Sequence, residues 1–336
     1  MSQTTVALET APPSIRRLVV GRLMLVAGLL ATIGFGLVFP FPWEGRLSGE
    51  LFDLAHAPVF CMALIGLIGF LDPPAAGLPD RLPVILKMTF WRVAALTALL
   101  MSVGLVGEYL QKFSGRSPSW SDVAANSAGL LAGLFWVASR AVHGIARHLL
   151  AGMVALLLVS VSLNSVANVR ECIRQTQSFP LLASFERPRE LGAWVARRAS
   201  FTQSTAWSSD GQSSLLVQLK PGQVSGVAMV WLPRDWSNLK TLRMELHNPD
   251  DQPLTVFIKL FDYQHTQNGY DHHDRFHVEV TVAAGETHAV AIDLNDVRSA
   301  PADRDMDMQQ IWAIEIFAWN LSTAHSFHVD DLRLLE

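Results

Sequence analysis

An α-helical transmembrane bundle followed by an all-β domain, a sandwich of the jelly-roll kind, is the fold class this sequence predicts. Three observations predict it. Nearly all long apolar runs lie before Asn168, whereas the stretch from Arg170 to Glu336 is polar and carries turns rich in Gly, Pro, Asn and Asp. In that second stretch the apolar residues recur at every second position, the period of half-buried strands. Finally, 336 residues exceed what one hydrophobic core usually organises, and 50% hydrophobic against 17% charged residues tilts the balance toward lipid. The expected division is a cytoplasmic tail over 1–17, a membrane domain over 18–168, a linker over 169–181 and a sandwich over 182–336.

Arg16, Arg17 and Arg22 precede an apolar run that is too long for a cleaved signal peptide and therefore reads as a retained helix. A span needs roughly 20 apolar residues, or about 17 with snorkelling flanks. Five segments qualify, at about 23–39, 58–71, 93–110, 122–138 and 149–166, the second being short. Ala125, Gly129 and Gly133 recur every fourth residue in the fourth segment, which lets a neighbouring helix approach closely. With the N-terminus inside, Arg16, Arg17, Arg22, Arg81, Lys87, Arg92, Arg140 and Arg147 are cytoplasmic, and only Arg46, Lys112 and Arg116 lie outside. Five crossings then deliver the β domain to the outer face, with a soluble fragment expected from about residue 177 onward.

Ionisable groups in or beside a membrane segment are costly, so each needs a partner or a task. Asp53 and His56 are three apart before the second segment, Glu108 and Gln111 are three apart ending the third, and Asp122 and Asn126 are four apart opening the fourth. These spacings put the members of each pair on one helix face. The topology brings all three pairs to the outer end of the bundle, beside the loop carrying Lys112 and Arg116. That loop reads as a turn and a capped helix, with Ser119 and Asp122 in capping-box spacing. In the architectural reading, Asp122 only caps, Asn126 only bonds between helices, and Glu108 only pairs with Arg116. In the functional reading, an arginine with carboxylates and a histidine at a lipid boundary holds an anionic headgroup or moves a proton.

Asp53-x-x-His56, Glu108-x-x-Gln111, Gly115-Arg116 and Asp122-x-x-x-Asn126-x-x-Gly129, in this order, resemble the VanZ-like membrane proteins over about 52–133. Position 60 departs from that likeness, being Phe where a Tyr-type residue is expected. The resemblance implies a bacterial cytoplasmic-membrane protein linked to the cell envelope, with some relatives associated with resistance to glycopeptide antibiotics of the teicoplanin kind. It implies no enzyme name.

In the second half, Leu242, Met244 and Leu246 alternate with polar residues, as do Val256, Ile258 and Leu260, then Val278, Val280 and Val282, and then Val290, Ile292 and Leu294. Turns such as Pro221-Gly222, Asn248-Pro249-Asp250 and Ala284-Gly285-Glu286 separate the runs, which suits two antiparallel sheets. Phe185-Glu186, the run from Ser213 to Val217 and the run from Phe327 to Leu334 resemble the carbohydrate-binding, galactose-binding-like β sandwiches over about 182–336. That resemblance implies a structural Ca²⁺ shared by Glu186 and Asp330, whose carboxylate oxygens suit a hard cation.

Six tryptophans crowd this domain, and Trp231, Trp236 and Trp319, flanked by polar turns, are the candidates for stacking on a sugar. Asp262, His265, Tyr270 and Arg275 fall in a stretch that reads as a loop, a usual place for binding on a rigid sandwich. His265, His272 and His273 form the weaker candidate for zinc, because their spacing is not diagnostic. Cys61 and Cys172 are too few for a disulfide framework, and a net charge of -4 without a basic run argues against nucleic acid as a partner.

The leading expectation is a non-catalytic envelope protein. Its partners are the lipid bilayer, a lipid or lipid-linked precursor at the outer face, and an envelope glycan on the sandwich. The rival is a membrane enzyme acting on a lipid-linked sugar, with Glu108 or Asp53 as general base, His56 as proton carrier and Arg116 on phosphate. A third reading makes the sandwich a protein-docking module. No nucleophile elbow, P-loop or metal-protease motif is present, which counts against the enzyme.

Overall fold

The computed structural model describes Met24, Gly28 and residues 45–71, 90–113 and 119–336. The first expected span apart from Met24 and Gly28, the stretch 73–83 between the second and third spans, and Arg116 lie outside the described residues. The chain divides into two compact units, Met1–Ala167 and Asn168–Glu336.

In the first unit, α1 covers Arg46–Leu71, α2 Phe90–Gln111, α3 Trp120–Ser139 and α4 Ile145–Ser178. Each contains one of the four expected spans that the structure describes. α1 starts earlier than the apolar run suggests, so Asp53 and His56 lie inside a helix rather than before one, and Pro58 sits within it. Among the described residues, α1, α2 and α4 are long and apolar enough to cross a membrane.

α1 and α3 pack at backbone distance, as the four-residue repeat of small side chains predicts. A Cβ on Gly129 would lie 2.2 Å from the Ala57 carbonyl oxygen, and one on Gly133 would lie 3.2 Å from that of Cys61. Four residues apart on each side, these contacts fix the register of the two helices. Ser119 caps α3 through its side chain, which accepts from the Ser121 amide. The reciprocal half of the expected capping box goes elsewhere, because the Ser119 amide donates to Glu108 Oε2 at 3.1 Å. A carboxylate near a helix N-terminus is favoured by the exposed amides and the macrodipole.

α4 has 34 residues, about 50 Å at 1.5 Å per residue, more than a hydrocarbon core requires. Leu149, Leu156, Val159 and Leu163 are exposed along it. The stretch 169–181, expected as a linker, is helical through Ser178. This last part belongs to the second unit. Glu171 is 2% exposed and receives the Arg187 guanidinium at 3.0 Å, while Gln175 Nε2 donates to the Trp231 carbonyl. A fragment beginning at residue 177 would strip Arg187 of this carboxylate, so the natural boundary lies at Asn168.

The sandwich begins with β1 (Leu181–Ala183), a 3-10 helix (Pro188–Ala193), β2 (Trp194–Arg197), β3 (Ala199–Ser204), β4 (Ser214–Leu219) and β5 (Gly222–Met229). It continues with β6 (Thr241–His247), β7 (Leu254–Asp262), α5 (Tyr263–Gln267), β8 (Phe276–Val282), β9 (Thr287–Asp293), α6 (Leu294–Arg298), β10 (Ile311–Leu321) and β11 (His325–Leu335). One sheet has the order β3-β4-β11-β6-β9 with β1 also on β11, and the other β2-β5-β10-β7-β8. From β4 to β11 the chain changes sheet at every connection except β7 to β8, the winding of a jelly roll.

The predicted alternation faces the core: Leu242, Met244 and Leu246 are buried against Val256, Ile258 and Leu260, with Val280, Val290, Ile292, Ile314 and Ile316. Leu294 departs from its expected strand and opens α6, because Asp293 caps that helix by accepting from the Asn295 amide. Trp236, expected on the surface, is fully buried with its Nε1 donating to the Pro233 carbonyl.

Candidate functional site

The structure joins two of the three polar pairs directly. His56 Nδ1 lies 2.9 Å from Asn126 Oδ1. Asp53, His56 and Asp122 each bring one ligand atom within 4.8 Å of the others. The third pair reaches the same end of α3 through its cap: Gln111 Nε2 donates to Glu108 Oε1 at 3.4 Å, and Glu108 Oε2 receives the Ser119 amide. His56, Glu108, Gln111, Asp122 and Asn126 are all buried, and Asp53 is half-buried. Phe60, the departure from the VanZ-like pattern, is fully buried, and its ring edge would touch a Cβ on Gly104 at 3.1 Å.

In the sandwich, the outer face of the β2-β5-β10-β7-β8 sheet forms a cleft of about 270 Å³. Phe317 on β10 lines it and stacks on the directly opposite Phe257 of β7, with ring centroids 5.7 Å apart. Gly226 on β5 makes room for this, since a Cβ there would sit 2.5 Å from Phe317 Cβ. Tyr270 and Trp312 also line the cleft, and Trp319, 47% exposed, continues along β10 on the same face. Charge is set among these rings. Lys259 Nζ lies 3.4 Å from Glu315 Oε2 and 4.2 Å above the Phe261 ring. Burial pulls the Lys259 ammonium below the ordinary lysine range, and Glu315 opposes that shift.

The loop after β7 forms one wall, and it is held by buried charge. Arg304 donates to Asp262 Oδ1 at 2.8 Å and to Asp274 Oδ1 at 2.6 Å. Burial works to raise the Asp262 carboxyl, but Arg304 and the amides of Asp307 and His265 overcome it and hold the carboxyl below its usual range. Asp262 is fully buried and caps α5, so it positions the loop rather than meeting a ligand. His265 is likewise fully buried, with neither ring nitrogen hydrogen-bonded and Nδ1 3.7 Å from Asp274 Oδ2. Burial first, then Lys259, pulls its imidazole below the ordinary histidine range, against the opposing effect of Asp274. Among the described residues His265, His272 and His273 do not bring their ligand atoms together as a metal site would need, and His272 and His273 are exposed while His265 is not.

Of the expected glycan contacts, Tyr270 and Trp319 are exposed on the sheet face, and Arg275 is half-buried with Nη2 2.5 Å from His272 Nδ1. Trp231 is half-buried against the core, and Trp236 offers no surface to a sugar. Sequence reasoning missed Phe257, Lys259, Glu315 and Phe317. A usable signal lay in β10, where Glu315, Phe317 and Trp319 alternate with the core residues Ile314, Ile316 and Ala318. Aromatics on the outward side of a strand are the sequence sign of a binding face.

Glu186 and Asp330 grip one loop. Glu186 Oε1 accepts from the Gln212 and Ser213 amides, while Asp330 Oδ2 accepts from the Ser209 and Asp210 amides and the Ser209 hydroxyl. Asp330 Oδ1 is buried without a hydrogen-bond partner, and such an oxygen fits a cation.

No family model and no curated protein matches this chain. Solved structures resemble its β unit. An exo-β-agarase is 15% identical over 46% of this chain, with a TM-score of 0.38, and this chain spans 24% of its length. A family 11 carbohydrate-binding module from Clostridium thermocellum, in complex with a β-1,3-1,4-mixed-linked tetrasaccharide, is 13% identical over 46% of this chain and 94% of its own, with a TM-score of 0.36. A xylan-binding domain of family 22 is 16% identical over 45% of this chain and 90% of its own, with a TM-score of 0.33. Likenesses at this level add nothing to the strand order itself, and the functional reading rests on the side chains.

Proposed function

We propose that the chain is a membrane-anchored envelope protein whose sandwich binds a glycan on the outer face of its second sheet. The observation that carries this is the stacked Phe257 and Phe317 pair, flanked by Trp319 and Tyr270, beside the Lys259 and Glu315 ion pair. Flat aromatic faces suit the apolar faces of sugar rings, and charged groups at their edge suit hydroxyls. The apolar residues exposed on α4, with the length of α1, α2 and α4, support the anchor. In the same reading the helical unit is VanZ-like, sits in a bacterial cytoplasmic membrane with the sandwich outside, and offers its polar cluster to a lipid-linked precursor. The convergence of Asp53, His56, Asp122 and Asn126 supports this, because buried polar groups on separate helices are retained only with partners or a task.

The test is a titration of the fragment Asn168–Glu336 with a panel of cell-envelope and plant-wall oligosaccharides. Phe317→Ala and Trp319→Ala should each weaken binding about tenfold or more, as truncation of a central aromatic anchor does. Binding that survives both changes would move the site off this face. Run with calcium and with chelator, the same fragment shows whether Glu186 and Asp330 hold an ion: a melting temperature that does not shift removes Ca²⁺ from the reading.

A further inference from the structure

The cluster in the helical unit has the composition and spacing of a metal centre, and we propose that Asp53, His56 and Asp122 bind one divalent first-row transition cation such as Zn²⁺ or Mn²⁺. One ligand atom from each lies within 4.8 Å of the others. Ligands about 2.1 Å from a shared ion are roughly 3–3.5 Å apart, so modest side-chain rotations close the set. The backbone frame is already fixed. Asp53 and His56 project from α1 three residues apart, and the Gly129 contact with Ala57 locks that turn of α1 against α3, whose first turn carries Asp122.

Asn126 gives the histidine its ligand form. Its Oδ1 can only accept, so His56 Nδ1 is the donor in this bond, and Nε2 is the ring nitrogen that remains for a ligand. An imidazole held through its second nitrogen in this way is the usual outer-shell arrangement of metal-binding histidines. Asn126 is 1% exposed, and its Nδ2 is buried without a hydrogen-bond partner. An unsatisfied buried amide is destabilising, so the bond that its oxygen makes with His56 is the favourable contact of this side chain. The charge also fits. Two carboxylates carry the charge that a dication complements. A mixed nitrogen and oxygen set favours zinc or manganese over magnesium or calcium, which prefer oxygen alone. The inference does not rest on the glycan reading.

The experiment uses the full chain in detergent, stripped with chelator and titrated with Zn²⁺ and, separately, Mn²⁺. Wild type should bind one equivalent more than His56→Gln or Asp122→Asn, and Asn126→Ala should keep the equivalent with affinity lowered about 10–100-fold. Equal stoichiometry in wild type and in His56→Gln of unchanged metal-free melting temperature overturns the proposal. If His56→Gln melts lower without metal, Asp53→Asn decides, because its half-buried side chain disturbs packing least: an unchanged equivalent there overturns the proposal as well. Uptake of Mg²⁺ or Ca²⁺ in preference to Zn²⁺ would also overturn it.

Discussion

His328 shows how one buried side chain sets a pH response. It lies on β11 directly opposite His247 of β6, with Trp207 stacked on His247 at 4.9 Å. Ser214 Oγ donates to the Trp207 carbonyl and is 2.8 Å from His328 Nδ1, so the imidazole donates to Ser214 and needs no charge. Burial, and then the neighbouring His247, push its pKa down to about 4. An unfolded histidine titrates near 6.5, so between about 6.5 and 4 the unfolded chain binds a proton that the folded one refuses. Stability is therefore complete above that window and falls by up to roughly 1.4 kcal/mol per pH unit as the pH drops through it. His328→Gln should make the acid-side slope of urea unfolding of Asn168–Glu336 shallower by about one proton. An unchanged slope would show that His328 is protonated in the folded state.

At the scale of elements, the loop between β7 and β8 depends on one guanidinium. Arg304 serves Asp262 at the end of β7 and Asp274 just before β8, and both carboxyls are held below their usual range against the opposing effect of burial. Arg304→Gln leaves a fully buried carboxylate without its counter-charge, a change that typically costs about 3–5 kcal/mol. The urea midpoint of the variant should fall accordingly. Since this loop carries Tyr270 into the cleft, glycan binding should weaken with it. A variant as stable as wild type would show that water replaces the guanidinium and that the loop does not rely on the pair. The same region shows what spacing hides. Asp262 and His265 have the residue types of a binding loop, yet they face inward because Asp262 caps α5 and Arg304 arrives from more than forty residues away.

At the scale of the whole molecule, the charge bias predicts an outward-facing sandwich. A reporter active only outside the cytoplasm, fused after Arg170, should be active, and the same reporter in the loop over 73–83 should be silent. Activity with the opposite pattern would refute five crossings with the N-terminus inside. The sequence by itself determined that the chain has a helical half and a β half, and which strand positions face the core. Those properties follow from hydrophobic periods and turn residues, which are local. It also named most of the polar cluster, because charge in an apolar run stands out without any knowledge of the fold. The tertiary structure alone decided that Asn126 meets His56 across seventy residues, that Trp236 is core, and that Phe257 and Phe317 share a face. Each of these depends on strand register or helix contact between distant segments, which pairing and packing set and no local period encodes.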